Sequence, residues 1–298
     1  MEPGSGRYDS LVHAVRAGGG EIVELAHAEA LVWADAGRAD LLPAAMAQAP
    51  DLRWVQLPFA GIEPFVPHLD HRRTWTCGKG VYAPPVAEHA VALALAGLRH
   101  VVAYGRAHTW TGPAGRNLLG ARVAIVGGGE ITRELIALLG PFGCTVTVVR
   151  KHAHPVPGAA RTVATAELHE ALADADVVIL ALALTPETTG IIGSAELAVM
   201  PDHAWIVNVA RGRHIATDDL VAALGVGTIG GAALDVTDPE PLPDGHPLWT
   251  LPNVIITPHV GNTPEMGIPL LAARVAENVR RFAAGEALLG LVDPDLGY

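Results

Sequence analysis

The chain is short of positive charge: 20 Lys and Arg stand against 31 Asp and Glu, a formal net charge of −11 over 298 residues. That deficit argues against a basic face, and so against nucleic acid as a partner. Cysteine is scarce as well. Cys77 and Cys144 offer neither a disulfide framework nor a metal-ligand spacing, so free thiols and no bound metal are expected. Long hydrophobic runs are absent; the longest, 177–184, falls well short of the roughly 20 residues that span a bilayer, so no membrane partner is expected. The opening M-E-P-G-S-G-R-Y has no apolar stretch of the kind a signal peptide carries, and the expected location is the cytoplasm. Repeats and low-complexity tracts are missing too, which leaves alternating elements as the source of the fold.

What is present is enough apolar material for ordinary cores. Hydrophobic residues make up 50% and charged residues 17%, and the length suits two domains. From residue 122 the pattern is regular. Strands at 122–126, 145–149, 176–182, 205–209, 230–235 and 254–257 alternate with helices at 130–139, 165–172, 194–199 and 217–224. Strands apolar on both faces, with helices between them, specify a parallel sheet covered on both sides, a doubly wound α/β domain. The preceding part reads as a smaller, less regular α/β domain with strands at 21–25, 30–34 and 52–57 and helices at 8–17 and 40–48. Such domains usually open with a strand, so here a first strand is expected to be missing or displaced. A helix over 86–104 carries the chain into the second domain, and one over 268–284 returns it. The expected division is 1–90 with 268–298 for the smaller domain and 91–267 for the larger.

G-G-G-E-I-T, residues 127–132, stands between the first strand of the larger domain and its first helix, the context in which G-x-G-x-x-G carries information. Gly127 permits the tight turn, and Gly129 lets the backbone approach a pyrophosphate at the helix N-terminus. Thr132 stands where a third glycine is usual. The ordinary explanation is a tight strand-to-helix turn; the flanking βαβ pattern favours a dinucleotide site. In such sites a carboxylate about 20 residues further on binds the ribose 2′-hydroxyl. Here that position holds Arg150, followed by Lys151, at the end of T-V-T-V-V-R-K-H. Two cations in place of the acid suit a 2′-phosphate, so NADP(H) is the expected cofactor, with NAD possible; the plainer alternative is a solvated basic strand end.

Three further segments end predicted strands: V-N-V-A-R-G-R-H at 207–214, A-L-D-V-T-D-P-E-P-L-P at 233–243 and N-V-I-I-T-P-H-V-G-N at 253–262. On a parallel sheet their loops share one edge, where α/β folds place ligands. His259 suits general acid–base work, Glu240 can orient it, and Arg211 can hold a carboxylate with its planar fork. Singly each has a bland explanation, since the chain holds 14 histidines and any one arginine can be a surface ion pair. Three such segments on one sheet are harder to dismiss.

With these motifs assembled, the chain resembles the D-isomer-specific 2-hydroxyacid dehydrogenases from about residue 52 to its end. The resemblance is carried by L-R-W-V-Q-L-P-F-A-G-I, V-A-E-H-A-V-A-L-A-L, the glycine loop, L-T-P-E-T-T-G-I-I, H-P-L-W and the three segments above. It implies a doubly wound dinucleotide-binding domain and a smaller, flavodoxin-like α/β substrate domain, here with a short N-terminus. It implies catalytic roles for Arg211, Glu240 and His259, with Arg211 also binding substrate beside the backbone of Ala60 and Gly61. Asp235 is then close to the nicotinamide, and Glu130, Ile131, Ala210 and Gly261 complete the cofactor-binding set with Gly127, Gly129, Arg150 and Lys151. Phe59 and Trp249 are candidate walls for the substrate's side chain. The expected activity is reduction of a small 2-oxo acid, such as glyoxylate or hydroxypyruvate, to the D-2-hydroxy acid by NADPH, in a homodimer. Thr132, Arg150 and Ala183, the last where a proline is common, depart from the family pattern. Two rivals stand beside this reading: a nucleotide-sensing binding module or corepressor on the same fold, and an NAD-dependent oxidation of a hydroxy acid.

Overall fold

A computed structural model describes residues 6–35 and 37–297. Residues 1–5, the start of the segment read above for a leader, lie outside the described residues. The chain forms two compact units. One is built from the described residues up to Tyr82 and those from Asn262 onward; the other is Ala83–Gly261.

The first unit opens with helix α1 (Gly6–Ala17) and continues through β1 (Ala30–Val32), α2 (Leu42–Ala47), β2 (Trp54–Gln56) and β3 (Thr74–Thr76). The three strands form a parallel sheet in sequence order. Leu42, Val55, Leu57, Phe65, Trp75 and Val292 pack its core. The strand expected at 21–25 does not form. Among the described residues no strand precedes Ala30, and Ile22 and Val23 remain 48% and 49% exposed ahead of a 3₁₀ turn at Leu25–His27. The segment Glu21-Ile22-Val23-Glu24-Leu25 has apolar residues but no strict alternation, and a strand that pairs with no neighbour has little stability of its own. Strand β3 was not expected; at three residues it is too short to show a period.

The second unit carries α3 (Ala83–Leu98), α4 (Val101–Gly105), β4 (Arg122–Val126), α5 (Glu130–Leu139), β5 (Thr145–Arg150), β6 (Arg161–Ala164), α6 (Leu168–Ala173), β7 (Val177–Leu180), α7 (Ser194–Val199), β8 (Trp205–Asn208), α8 (Thr217–Val226), β9 (Gly231–Leu234) and β10 (Val254–Ile256). Its seven strands are all parallel, in the order β10-β9-β8-β7-β4-β5-β6. Successive residues of each strand point to opposite faces. Val126, Val178, Leu180 and Ile206 enter one core, while Ile125, Val177, Ile179 and Val207 enter the other. Burial on both sides is the physical reason the strands read as apolar throughout. The helix expected over 86–104 is two helices, because His100 takes a left-handed φ of 52° and ends the ladder. The expected boundary at 90/91 would divide α3, but the whole of α3 belongs to the second unit, where Gly97 lies so close to the Trp205 ring that a Cβ would stand 2.3 Å from it. Helix α9 (Pro264–Ala284) belongs to the first unit and begins four residues earlier than the expected 268, with proline in its first turn. Among the described residues no helix is long and apolar enough to cross a membrane.

Candidate functional site

The order of the second unit's sheet turns back on itself between β4 and β7, the switch point at which doubly wound sheets open a crevice for ligands. The glycine loop lies there. Gly127 has φ 125°, and a Cβ on it would stand 2.0 Å from the Ala181 carbonyl oxygen beyond β7, so only glycine fits. Gly129 caps α5, and nothing lies within 4 Å of where its side chain would be. The first N–H groups of any α-helix have no partner within the helix, and Gly129 leaves the space at its own side-chain position clear, so the N-terminus of α5 suits an anionic pyrophosphate. Glu130 and Ile131 form the first turn, with the Glu130 carboxylate held by Arg133 at 2.7 Å and Ile131 packed on the core. Thr132 replaces the usual third glycine without disruption: it is fully buried, and its hydroxyl donates to the Gly127 carbonyl at 3.0 Å.

Arg150 ends β5, next to the loop. A Cβ on Gly128 would lie 3.0 Å from its Cδ and 3.1 Å from its Nε, so the Arg150 side chain packs closely against the middle glycine of the loop. Lys151 follows at the surface. No carboxylate occupies the strand end.

The other loops leave the same edge of the sheet from β8, β9 and β10, which are adjacent and parallel. At the end of β8, Asn208 pins the turn by accepting from Ala210 N–H at 3.0 Å and donating to the Arg211 carbonyl at 2.9 Å. The Arg211 guanidinium donates to the Ala210 carbonyl at 2.7 Å, and the Ala210 N–H is already given to Asn208. Gly212 packs on the loop beyond β9, where a Cβ would stand 2.0 Å from the Thr237 backbone. After β10, His259 takes a left-handed φ of 54°. That conformation costs a non-glycine residue about 1–2 kcal/mol, and the surrounding bonds must supply it. His259 Nδ1 lies 2.7 Å from Glu240 Oε1. Because an ionised carboxylate only accepts, Nδ1 carries the proton toward Glu240, and Nε2 remains for a reacting group. The ring is half exposed, as a group that meets a ligand must be.

Asp235, the residue after β9, is 3% exposed and anchors this loop. Its Oδ1 accepts from the Thr257 hydroxyl at 2.6 Å and Val260 N–H at 2.9 Å; its Oδ2 accepts from Gly261 N–H at 2.9 Å. His89 Nε2 on α3 lies 3.3 Å from Oδ1 and 3.0 Å from the Thr257 hydroxyl. Burial opposes ionisation of Asp235, but His89, Thr257 and the two backbone N–H groups together outweigh it and lower its pKa to about 2. Gly261 packs closely beside it, where a Cβ would stand 3.0 Å from Oδ2.

The second unit thus brings together Arg211, Asp235, Glu240, His259 and Gly261 on one sheet edge, with the glycine loop and Arg150 on the same edge. Ala60 and Gly61 belong to the first unit, in the bend that follows β2 at its C-terminal end. Phe59 there has Arg7 stacked 5.2 Å from its centroid and Tyr82 at 6.0 Å. Trp249 is 47% exposed in a 3₁₀ turn of the second unit, its indole N–H donating to the Pro243 carbonyl at 3.0 Å. Sequence reasoning assigned nothing to His89 or Thr257. The available signal was the polar pair Glu88-His89 inside an otherwise apolar helix.

Comparisons with known proteins bear on the family and the fold. A family model described as D-isomer specific 2-hydroxyacid dehydrogenase, NAD binding domain, matches residues 91–261. A glyoxylate/hydroxypyruvate reductase A from Klebsiella pneumoniae is 38% identical over 177 residues, which are 59% of this chain and 56% of that protein. The match therefore spans a little over half the length of that reductase. A D-isomer specific 2-hydroxyacid dehydrogenase from Xanthobacter autotrophicus Py2, solved in complex with NADPH and MES, superposes with a TM-score of 0.83 at 29% identity, covering 100% of this chain and 97% of that one. An NADPH-dependent glyoxylate/hydroxypyruvate reductase from Sinorhizobium meliloti, solved with NADP and sulfate, gives a TM-score of 0.81 at 26% identity, covering 98% and 96%.

Proposed function

The chain belongs to the D-isomer specific 2-hydroxyacid dehydrogenases, NAD(P)-dependent oxidoreductases, and from that premise we propose that it reduces a small 2-oxo acid to the D-2-hydroxy acid with NADPH. Glyoxylate and hydroxypyruvate are the candidate substrates, being those named for similar reductases. The observation that carries the reading is the His259–Glu240 bond of 2.7 Å beside the loop that presents Arg211.

The nicotinamide cofactor, when bound, supplies the hydride. This chain's residues do the rest. His259 holds a proton at Nε2 and releases it to the substrate's carbonyl oxygen as that oxygen becomes an alkoxide. Glu240 fixes the ring's orientation and tautomer through Nδ1. Arg211 takes the substrate carboxylate in its guanidinium fork and keeps the carbonyl in line with the acid. Gly127 and Gly129 leave space at the N-terminus of α5 for the pyrophosphate. Arg150 and Lys151 would hold a 2′-phosphate on the cofactor, a role that the absence of a strand-end carboxylate favours. Assembly as a homodimer belongs to the same proposal.

A panel of 2-oxo acids assayed for NADPH oxidation tests it. Turnover of glyoxylate or hydroxypyruvate is expected. Tight NADPH binding without turnover of any 2-oxo acid would mark a nucleotide-sensing module instead.

A further inference from the structure

The bonds around Asp235 can be read in only one direction. The carboxylate is ionised and only accepts, so the Thr257 hydroxyl, 2.6 Å away, must donate its single hydrogen to it. The Thr257 oxygen is then left as an acceptor, and His89 Nε2, at 3.0 Å from it, must carry a proton and donate. The same N–H faces Asp235 Oδ1 at 3.3 Å. His89 is therefore the outermost donor of a chain that runs from α3 into Asp235.

Asp235 in turn holds nearly every donor of the loop that bears His259. Its backbone carbonyl accepts His259 N–H at 2.8 Å, and its carboxylate accepts Val260 and Gly261 N–H at 2.9 Å each. Thr257 N–H is held by the neighbouring Leu234 carbonyl at 2.9 Å. The left-handed backbone at His259 rests on this set.

We propose that His89 is a positioning residue: through Thr257 and Asp235 it clamps the 257–261 loop and so holds His259 against Glu240 in the orientation that delivers a proton. The inference rests on the acid role of His259 proposed above. His89 touches neither substrate nor the reacting atoms in this account. Its contribution is to the placement of His259, where a shift of about 1 Å lowers a rate by roughly a hundredfold.

The test uses four variants of the full chain. His89→Leu and Thr257→Val each remove the relay; His89→Gln keeps a side-chain N–H donor at similar reach, and Thr257→Ser keeps the hydroxyl. Turnover is measured with saturating NADPH and varied glyoxylate. The relay-removing variants are expected to lose roughly 10- to 100-fold in kcat. KM for glyoxylate and Kd for NADPH should move less than about threefold, and Gln and Ser should recover most of kcat. A second readout needs no turnover: amide exchange at Val260 and Gly261 should quicken at least about tenfold in His89→Leu and return toward wild type in His89→Gln. Unchanged kcat and exchange in His89→Leu would overturn the proposal. So would a loss that the Gln and Ser variants fail to recover, which would mark a packing role. If wild type shows no turnover of any 2-oxo acid, the functional reading fails, and the exchange measurement alone decides whether His89 clamps the loop.

Discussion

At His259 the backbone has φ 54° and Nδ1 lies 2.7 Å from Glu240 Oε1, so the ring has little freedom and Nε2 is the atom left for a substrate. His259→Ala removes that proton donor and leaves the glycine loop intact. We expect kcat to fall roughly 10²–10⁴-fold with NADPH binding nearly unchanged, read from steady-state turnover and cofactor fluorescence titration. Near wild-type turnover would remove His259 from the mechanism. Arg211 is held at its root by Asn208 and the Ala210 carbonyl, which aims a planar fork from the end of β8. An ammonium cannot make a bidentate contact with a carboxylate, so Arg211→Lys should cost roughly 10- to 100-fold in kcat/KM for the 2-oxo acid. If KM and kcat barely change, the substrate carboxylate is held elsewhere.

At the scale of elements, the loops beyond β8, β9 and β10 work as one assembly centred on Asp235. Its folded pKa of about 2, against 3.8 for the free side chain, makes this assembly a source of stability that is pH-dependent. The folded value is the lower one, so the stabilisation is fully present above about pH 4 and is lost as pH falls through about 2. For this buried group the difference corresponds to about 2 kcal/mol. Asp235→Asn should therefore be destabilised most near pH 6, with the gap to wild type narrowing as pH approaches 2, measured by urea unfolding at a series of pH values. A gap independent of pH would show that the charge of Asp235 does not matter to the fold. These loops were legible in the sequence because each is a local continuation of an apolar strand. The clamp from α3 was not, since His89 acquires meaning only when the helix lies on the sheet and brings it to Thr257, 168 positions away. The elements misjudged were short or unpaired. The apolar residues at 21–25 pair with no strand, and β6 at the sheet edge buries only Val163. The break after α3 depends on one left-handed residue, His100, which has no glycine to announce it.

For the whole molecule, the notable fact is where its few cations stand. A chain of net charge −11 repels an anionic cofactor at long range, so a local cationic contact has to offset that. Arg150 and Lys151 are placed to do so at the end of β5, beside the glycine loop and without a strand-end carboxylate. Hydrogen bonds to a charged group contribute about 1.5–3 kcal/mol, and at about 1.4 kcal/mol per decade the proposed contact predicts a preference for NADPH over NADH of roughly 10- to 100-fold. The contact is near the surface, so the preference should shrink as salt rises.

The measurement that bears most directly on the account is kcat/KM for NADPH and for NADH at one fixed concentration of glyoxylate, in wild type and in Arg150→Asp. Wild type should turn over and favour NADPH by roughly 10- to 100-fold, and Arg150→Asp should abolish or reverse that ratio, mainly by weakening NADPH. A wild-type protein that already prefers NADH would contradict the account and reduce the basic end of β5 to a solvated strand tip.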